Sequence, residues 1–155
     1  MKHFIRSIVY FAVVACACLI TSCDESEHEF NEIVSDQLGE AHALEEIQFS
    51  EWEYRDHEGG VYHYFKFEGA SEDKANFTYQ EYYFEQGSRP QYEVKVTGRW
   101  IISGASYMGF DIYSVSCTNQ AYLPPASAFP EDAKIGYYKG QFVIYYNKHL
   151  YEKIE

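Results

Sequence analysis

Few side chains in this 155-residue sequence stand at the spacings that chemistry requires. The densest group of potential metal ligands is Asp56-His57-Glu58, followed by His63. Zinc sites draw on recurrent spacings of Cys and His, and a loop triplet plus one distant His matches none of them. With Gly59-Gly60 behind it, the triplet reads as a solvated acidic turn, and no metal or other cofactor is expected. His63 alternates with Val61 and Phe65, which favours a hydrogen-bonded interior histidine over a catalytic one. Cys117 lies in an apolar run with no base placed beside it by any motif, so it reads as a small packing residue. Ser103-Gly104-Ala105-Ser106 lacks the order of a nucleophile elbow. Neither a phosphate-cradling glycine loop nor a calcium loop occurs. Glu81 and Asp111 fall in predicted strands, and two carboxylates facing across a barrel can serve as acid and base on a glycoside. With 24 acidic residues, however, such pairs arise from composition alone. The expectation is a protein that binds rather than catalyses.

Binding chemistry is concentrated in aromatic and apolar residues. The connection from Thr118 to Ala133 runs for 16 residues without a strand pattern, and connections of that length in a compact domain are often lids or binding loops. Tyr122, Leu123 and Phe129 give it apolar content, while Pro124, Pro125 and Pro130 stiffen it and reduce the entropy lost on binding. It reads either as a binding loop or as a strap whose apolar residues plug one end of the domain. Trp100, Tyr122, Leu123 and Phe129 are the candidate ligand-binding residues.

The first 22 residues have the form of an export signal. Lys2, His3 and Arg6 make a positive start, and Ile8 to Ile20 is a 13-residue apolar run, shorter than the roughly 20 residues a membrane-spanning helix needs. The run ends in Ile20-Thr21-Ser22-Cys23, which resembles the lipobox of bacterial lipoproteins. That resemblance implies acylation of Cys23, cleavage before it, and a mature chain held on a membrane by its lipid. Ala15-Cys16-Ala17 also fits a small-x-small cleavage site, which gives soluble export as the competing reading. Cys16 and Cys18 leave with the leader and Cys23 is spent on lipid, so Cys117 is the one free thiol expected in the mature chain. The segment Asp24-Glu25-Ser26-Glu27-His28-Glu29 holds four acidic residues in six. By the same resemblance, such runs direct surface display on the outer membrane in one group of Gram-negative bacteria, whereas Asp after the cysteine favours inner-membrane retention in enteric types. Outer-membrane anchoring with an outward-facing domain is the favoured expectation.

Charge narrows the partners further. Twelve Lys and Arg stand against 24 Asp and Glu, and removal of Lys2 and Arg6 with the leader leaves ten against 24, a formal −14. Nucleic-acid binding needs cationic side chains facing phosphate, so a nucleic-acid partner is excluded.

Residues 23–43 read as the lipidated cysteine and an acidic tether; Ile33, Val34, Leu38 and Ala41, with Leu44 just beyond, fall at near-helical spacing, which allows a short helix there. From residue 44 to 155, β-branched and aromatic residues dominate and Gly or Pro clusters cut them into short runs, the signature of strands. Eight strands are predicted, at 45–54, 60–67, 75–84, 91–102, 106–117, 134–138, 141–147 and 149–154. All but one connection suits a hairpin. An all-β, small eight-stranded antiparallel up-and-down barrel follows, since closure removes exposed edges. A two-sheet β-sandwich is the alternative. The stretches Val61 to Glu68, Phe77-Thr78-Tyr79 and Tyr92 to Gly104 resemble those of small lipocalin-like lipoproteins of Gram-negative bacteria. The resemblance implies a calycin-type barrel with an internal ligand cavity. Lipocalins place Gly-x-Trp on the first strand, whereas here Phe49-Ser50-Glu51 precedes Trp52, and Gly98-Arg99-Trp100 lies in mid-chain. The functional expectation is a lipid-anchored envelope protein that binds a small apolar or glycan ligand. The alternative is a protein–protein interaction module with a filled barrel, such as an envelope assembly factor or inhibitor.

Overall fold

The computed structural model describes residues 25–35, 37–69, 75–85 and 89–154. Eight strands follow one another around a closed barrel: β1 (Glu51–Asp56), β2 (Val61–Phe67), β3 (Asn76–Tyr83), β4 (Tyr92–Ile102), β5 (Tyr107–Cys117), β6 (Asp132–Tyr138), β7 (Gln141–Tyr146) and β8 (His149–Lys153). Each pairs antiparallel with the next, and β8 closes on β1 through Trp52–Lys153 and Glu53–Glu152. This is the up-and-down barrel that the strand count predicts, and the sandwich is set aside.

Register aligns the inward residues in rows. Trp52, Phe65, Tyr79, Val96 and Val115 are successive cross-strand partners, as are Tyr54, His63, Glu81, Val94 and Cys117. The first row and its neighbours fill the middle of the barrel with rings. Phe65 is fully buried, and its ring centroid lies 4.5 Å from Tyr79, 5.1 Å from both Tyr146 and Tyr151, 5.4 Å from Phe67 and 5.7 Å from Phe110. Edge-to-face and offset pairs at these separations each contribute about 0.5–1.5 kcal/mol beyond burial.

A β-bulge keeps β5 in phase with this core. Thr97 pairs with Ser114 and Gly98 with Ile112, leaving Tyr113 as the extra residue. The inward set on β5 therefore changes from Met108, Phe110 and Ile112 to Val115 and Cys117. Gly98 is required at the bulge because a Cβ there would lie 2.1 Å from the Asp111 carbonyl oxygen.

Two helices precede β1. The stretch at 45–50, predicted as the start of a strand, is instead the end of helix α2 (Glu40–Ile47) and a turn. The sequence EAHALEEI is rich in good helix formers, and Ala43 and Ile47, one turn apart, are fully buried in the barrel core. This anchoring overrides the β-branched texture that begins at Ile47. Ser50 ties the helix to the strand: its hydroxyl donates to the Ile47 carbonyl and accepts from Trp52 Nε1 at 2.6 Å. α2 closes the end of the barrel where β1 begins, the helix end.

Helix α1 (Glu25–Glu32) lies in the stretch read as a tether and packs outside β6 and β7. The Phe30 ring meets Tyr145 at 5.3 Å, and Lys134 Nζ sits over the Phe30 ring and donates to the Phe30 carbonyl at 2.6 Å. Ile33 is buried, and Val34 exchanges both backbone hydrogen bonds with Tyr137. Gly136 admits this approach, since a Cβ there would lie 2.2 Å from the Val34 carbonyl oxygen. Among the described residues no helix is long and apolar enough to cross a membrane.

Candidate functional site

The opposite end carries the β1–β2, β3–β4 and β7–β8 turns and the long connection, and it differs in chemistry. There the inward row places His63 on β2 directly opposite Glu81 on β3, both buried, at positions that strand alternation reserves for the interior. A hydrogen-bonded chain joins them by an indirect path. His63 Nδ1 lies 3.0 Å from the Tyr151 hydroxyl, which lies 3.1 Å from the Tyr79 hydroxyl, which donates to Glu81 Oε1 at 2.9 Å. Tyr83 donates to Glu81 Oε2 at 2.6 Å, the short distance typical of a charge-assisted bond. Tyr79 and Tyr151 are fully buried.

Above this floor sits a ladder of half-exposed rings. Tyr83 stacks on Tyr92 at 4.5 Å and 17°, and Tyr92 on Tyr122 at 4.5 Å and 7°. Tyr83 and Tyr92 are register partners on β3 and β4, while Tyr122 comes from a single turn of 3-10 helix, Gln120–Tyr122, capped by Asn119 Oδ1 accepting from the Ala121 amide. On the other side His149 stacks on Tyr54 at 4.3 Å and meets the His63 ring at 5.0 Å.

Burial sets the proton states. Desolvation, assisted by nearby His149, drives the His63 imidazole down to about 3, so it is neutral at ordinary pH. Burial also lowers His149, against the opposing pull of Glu81 and Asp56. The Tyr79 and Tyr151 hydroxyls are pushed well up, mainly by burial, with the Glu81 charge adding to it. His63 Nε2 is buried with no hydrogen-bond partner among the described residues. A buried polar atom left bare costs about 1–3 kcal/mol, and such atoms mark strain, function or an occupant.

The residues singled out from sequence are divided between the two ends. Tyr122 is on the rim of the tyrosine end, and Leu123 is exposed beside it. Phe129 is buried in the core with its ring 6.1 Å from Tyr79, so the long connection both plugs the barrel and presents a ring to its mouth. Trp100 does not join them. It lies on β4 opposite Phe110, packed against Phe67 at 5.5 Å toward the helix end, and its Nε1 is buried without a partner among the described residues. Cys23 lies outside the described residues. Cys117 is buried in the core. Asp56 forms a tight turn, its Oδ1 accepting from the Glu58 and Gly59 amides at 3.0 and 2.8 Å. Among the described residues, no group of three or more His, Cys, Asp and Glu comes together in a metal-holding arrangement.

Sequence reasoning missed Glu81, Tyr79, Tyr83, Tyr92, Tyr151 and His149 as a group. One signal was available: Phe77, Tyr79, Glu81 and Tyr83 share the parity of the buried face, and a carboxylate in that series stands out. Comparison with known protein families, with curated proteins and with solved structures returns no significant match to this chain.

Proposed function

We propose that this chain is a lipid-anchored envelope protein of the bacterial outer membrane, carried on Cys23, whose lipocalin-like barrel holds a small ligand at the tyrosine end. The observation that carries the reading is the stack of Tyr83, Tyr92 and Tyr122 standing over the buried Glu81–Tyr79–Tyr151–His63 chain. Ligand sites combine apolar or aromatic walls with a few convergent polar groups, and this end has both. The ring-filled middle confines a ligand to this end, above Phe65 and Tyr79. Buried polar atoms favour a ligand with hydrogen-bonding groups, as a glycan has, over a purely apolar one.

The filled middle also supports a second reading, in which the barrel is an interaction module. Exposed Tyr122 and Leu123 on the proline-rich connection then meet an envelope protein. Native against denaturing mass spectrometry separates the two, using the full chain expressed with its leader in a bacterial envelope. An extra mass that is lost on denaturation, and reduced in Tyr122→Ala, supports the ligand reading. A bare mass together with a crosslinked partner at Leu123 supports the module. The anchor is tested by Cys23→Ala, which is expected to move the protein out of the salt-washed membrane fraction.

A further inference from the structure

The proton inventory of the buried chain sets what it can accept, and this step rests on the ligand-binding reading above. Three contacts link His63, Tyr151, Tyr79 and Glu81. With Glu81 as a carboxylate, its two oxygens accept, one from Tyr79 and one from Tyr83. Each tyrosine owns a single proton. Tyr79 spends its proton on Glu81, so the Tyr151 contact is satisfied only if Tyr151 donates to Tyr79. Tyr151 then has none left for His63, and the third contact requires the hydrogen on His63 Nδ1. A neutral imidazole has one N–H, so Nε2 is a bare lone pair, buried and without a partner among the described residues.

All the protons in the network are therefore spent within it, and only acceptors remain on offer. Glu81 and His63 are direct cross-strand partners, so both belong to one inward row of the barrel and both are buried. Among the described residues the ion pairs of Arg55, Lys66 and Lys153 are with Glu53, Glu51 and Glu46, not with Glu81. Tyr92 is stacked between Tyr83 and Tyr122, and the rim adds the outer π-faces of those two rings, which attract positive charge. The Tyr54, Tyr92 and Tyr122 hydroxyls and the His149 ring stand outside the chain as donors nearer the rim, and a ligand that brings donors and a positive charge to the floor satisfies Nε2 and compensates the carboxylate together.

We infer that the tyrosine end takes a small molecule bearing a protonated amine, carried on a ring or short apolar body that stacks with the tyrosine ladder. The test uses the full chain, extracted in detergent, with four probes: tyramine and glucosamine, and their neutral counterparts 4-propylphenol and glucose. Calorimetric titration at pH 7 is expected to show each amine binding at least tenfold tighter than its counterpart. Glu81→Gln is expected to erase that preference, and Tyr122→Ala to weaken all probes that bind. Nitrogen-15 NMR of His63 in the unsubstituted protein gives a readout that needs no variant: Nε2 without a proton, its shift moving when tyramine is added. Neutral probes that bind as tightly as the amines, or an Nε2–H signal in the free protein, overturn the amine assignment and leave the ligand-binding reading standing. Binding of none of the four, with no co-purified mass, overturns both.

Discussion

The two halves of the barrel use the same strands and the same inward alternation but put different residues there. Toward the helix end and through the middle, the interior holds Trp52, Phe65, Phe67, Phe77, Trp100 and Phe110, closed by Ala43 and Ile47 of α2. At the tyrosine end the next inward row brings His63 and Glu81, with hydroxyls from Tyr79, Tyr83 and Tyr151. The first half gains from burial of apolar area, and Trp100 Nε1 is the buried polar atom it leaves without a partner among the described residues. The second buries charge and hydrogen-bonding groups, which costs free energy unless every group is met, and His63 Nε2 is not met. One half therefore supplies stability, and the other holds the groups whose placement stability alone does not explain.

The largest effect is expected in the first half. Phe65→Ala removes a ring that packs against six others and should destabilise the fold by about 3–5 kcal/mol, read as a fall in the urea midpoint. A loss under about 1 kcal/mol would erase the contrast. Tyr151→Phe takes away the hydroxyl between His63 and Tyr79 and leaves Nδ1 as bare as Nε2, at an expected cost of about 1–3 kcal/mol with little change in packed volume. Acid titration sharpens the comparison from another side. The His63 value falls from the ordinary 6.5 in the unfolded chain to about 3 in the fold, so the unfolded state binds the proton first. Its contribution to stability is complete above about pH 6.5 and is lost as pH falls toward 3, at about 1.4 kcal/mol per pH unit. His63→Gln should flatten that slope in equilibrium unfolding between pH 6 and 4; an unchanged slope assigns the acid sensitivity elsewhere. The smallest stability effect belongs to the rim: Tyr122→Ala should shift unfolding by no more than about 0.5 kcal/mol, because the ring is half exposed, while weakening any ligand held at that end.

Much of the fold was legible because barrel strands alternate with a strict period of two, and the aromatic runs are cut by Gly and Pro clusters. Seven of the eight predicted strands agree with the structure to within two residues at either end. The first did not, because Leu44 to Ile47 belongs to a helix whose commitment depends on burying Ala43 and Ile47 in a distant core, a contact that no local pattern reveals. The stretch read as a tether hid its contacts in the same way, since Phe30 and Ile33 reveal nothing until β6 and β7 stand beside them. For the site, periodicity places Glu81 on the inward face but not beside His63. That juxtaposition depends on the β2–β3 register, which is fixed across a connection the sequence leaves open. Tyr151 reaches the same cluster from 88 residues beyond His63, by closure of the barrel.

The seating of α1 against β6 and β7 has a mechanical consequence for the proposed anchor. Cys23 stands two residues before Glu25, and two extended residues span at most about 7 Å. On the proposed anchor, acyl chains on Cys23 would sit next to a segment that Phe30, Ile33 and Val34 fasten to the barrel wall, a bracket rather than a leash. A lipid carried there would hold the barrel by a short attachment, so the domain would sweep far less of the membrane than one hung on a long flexible tether.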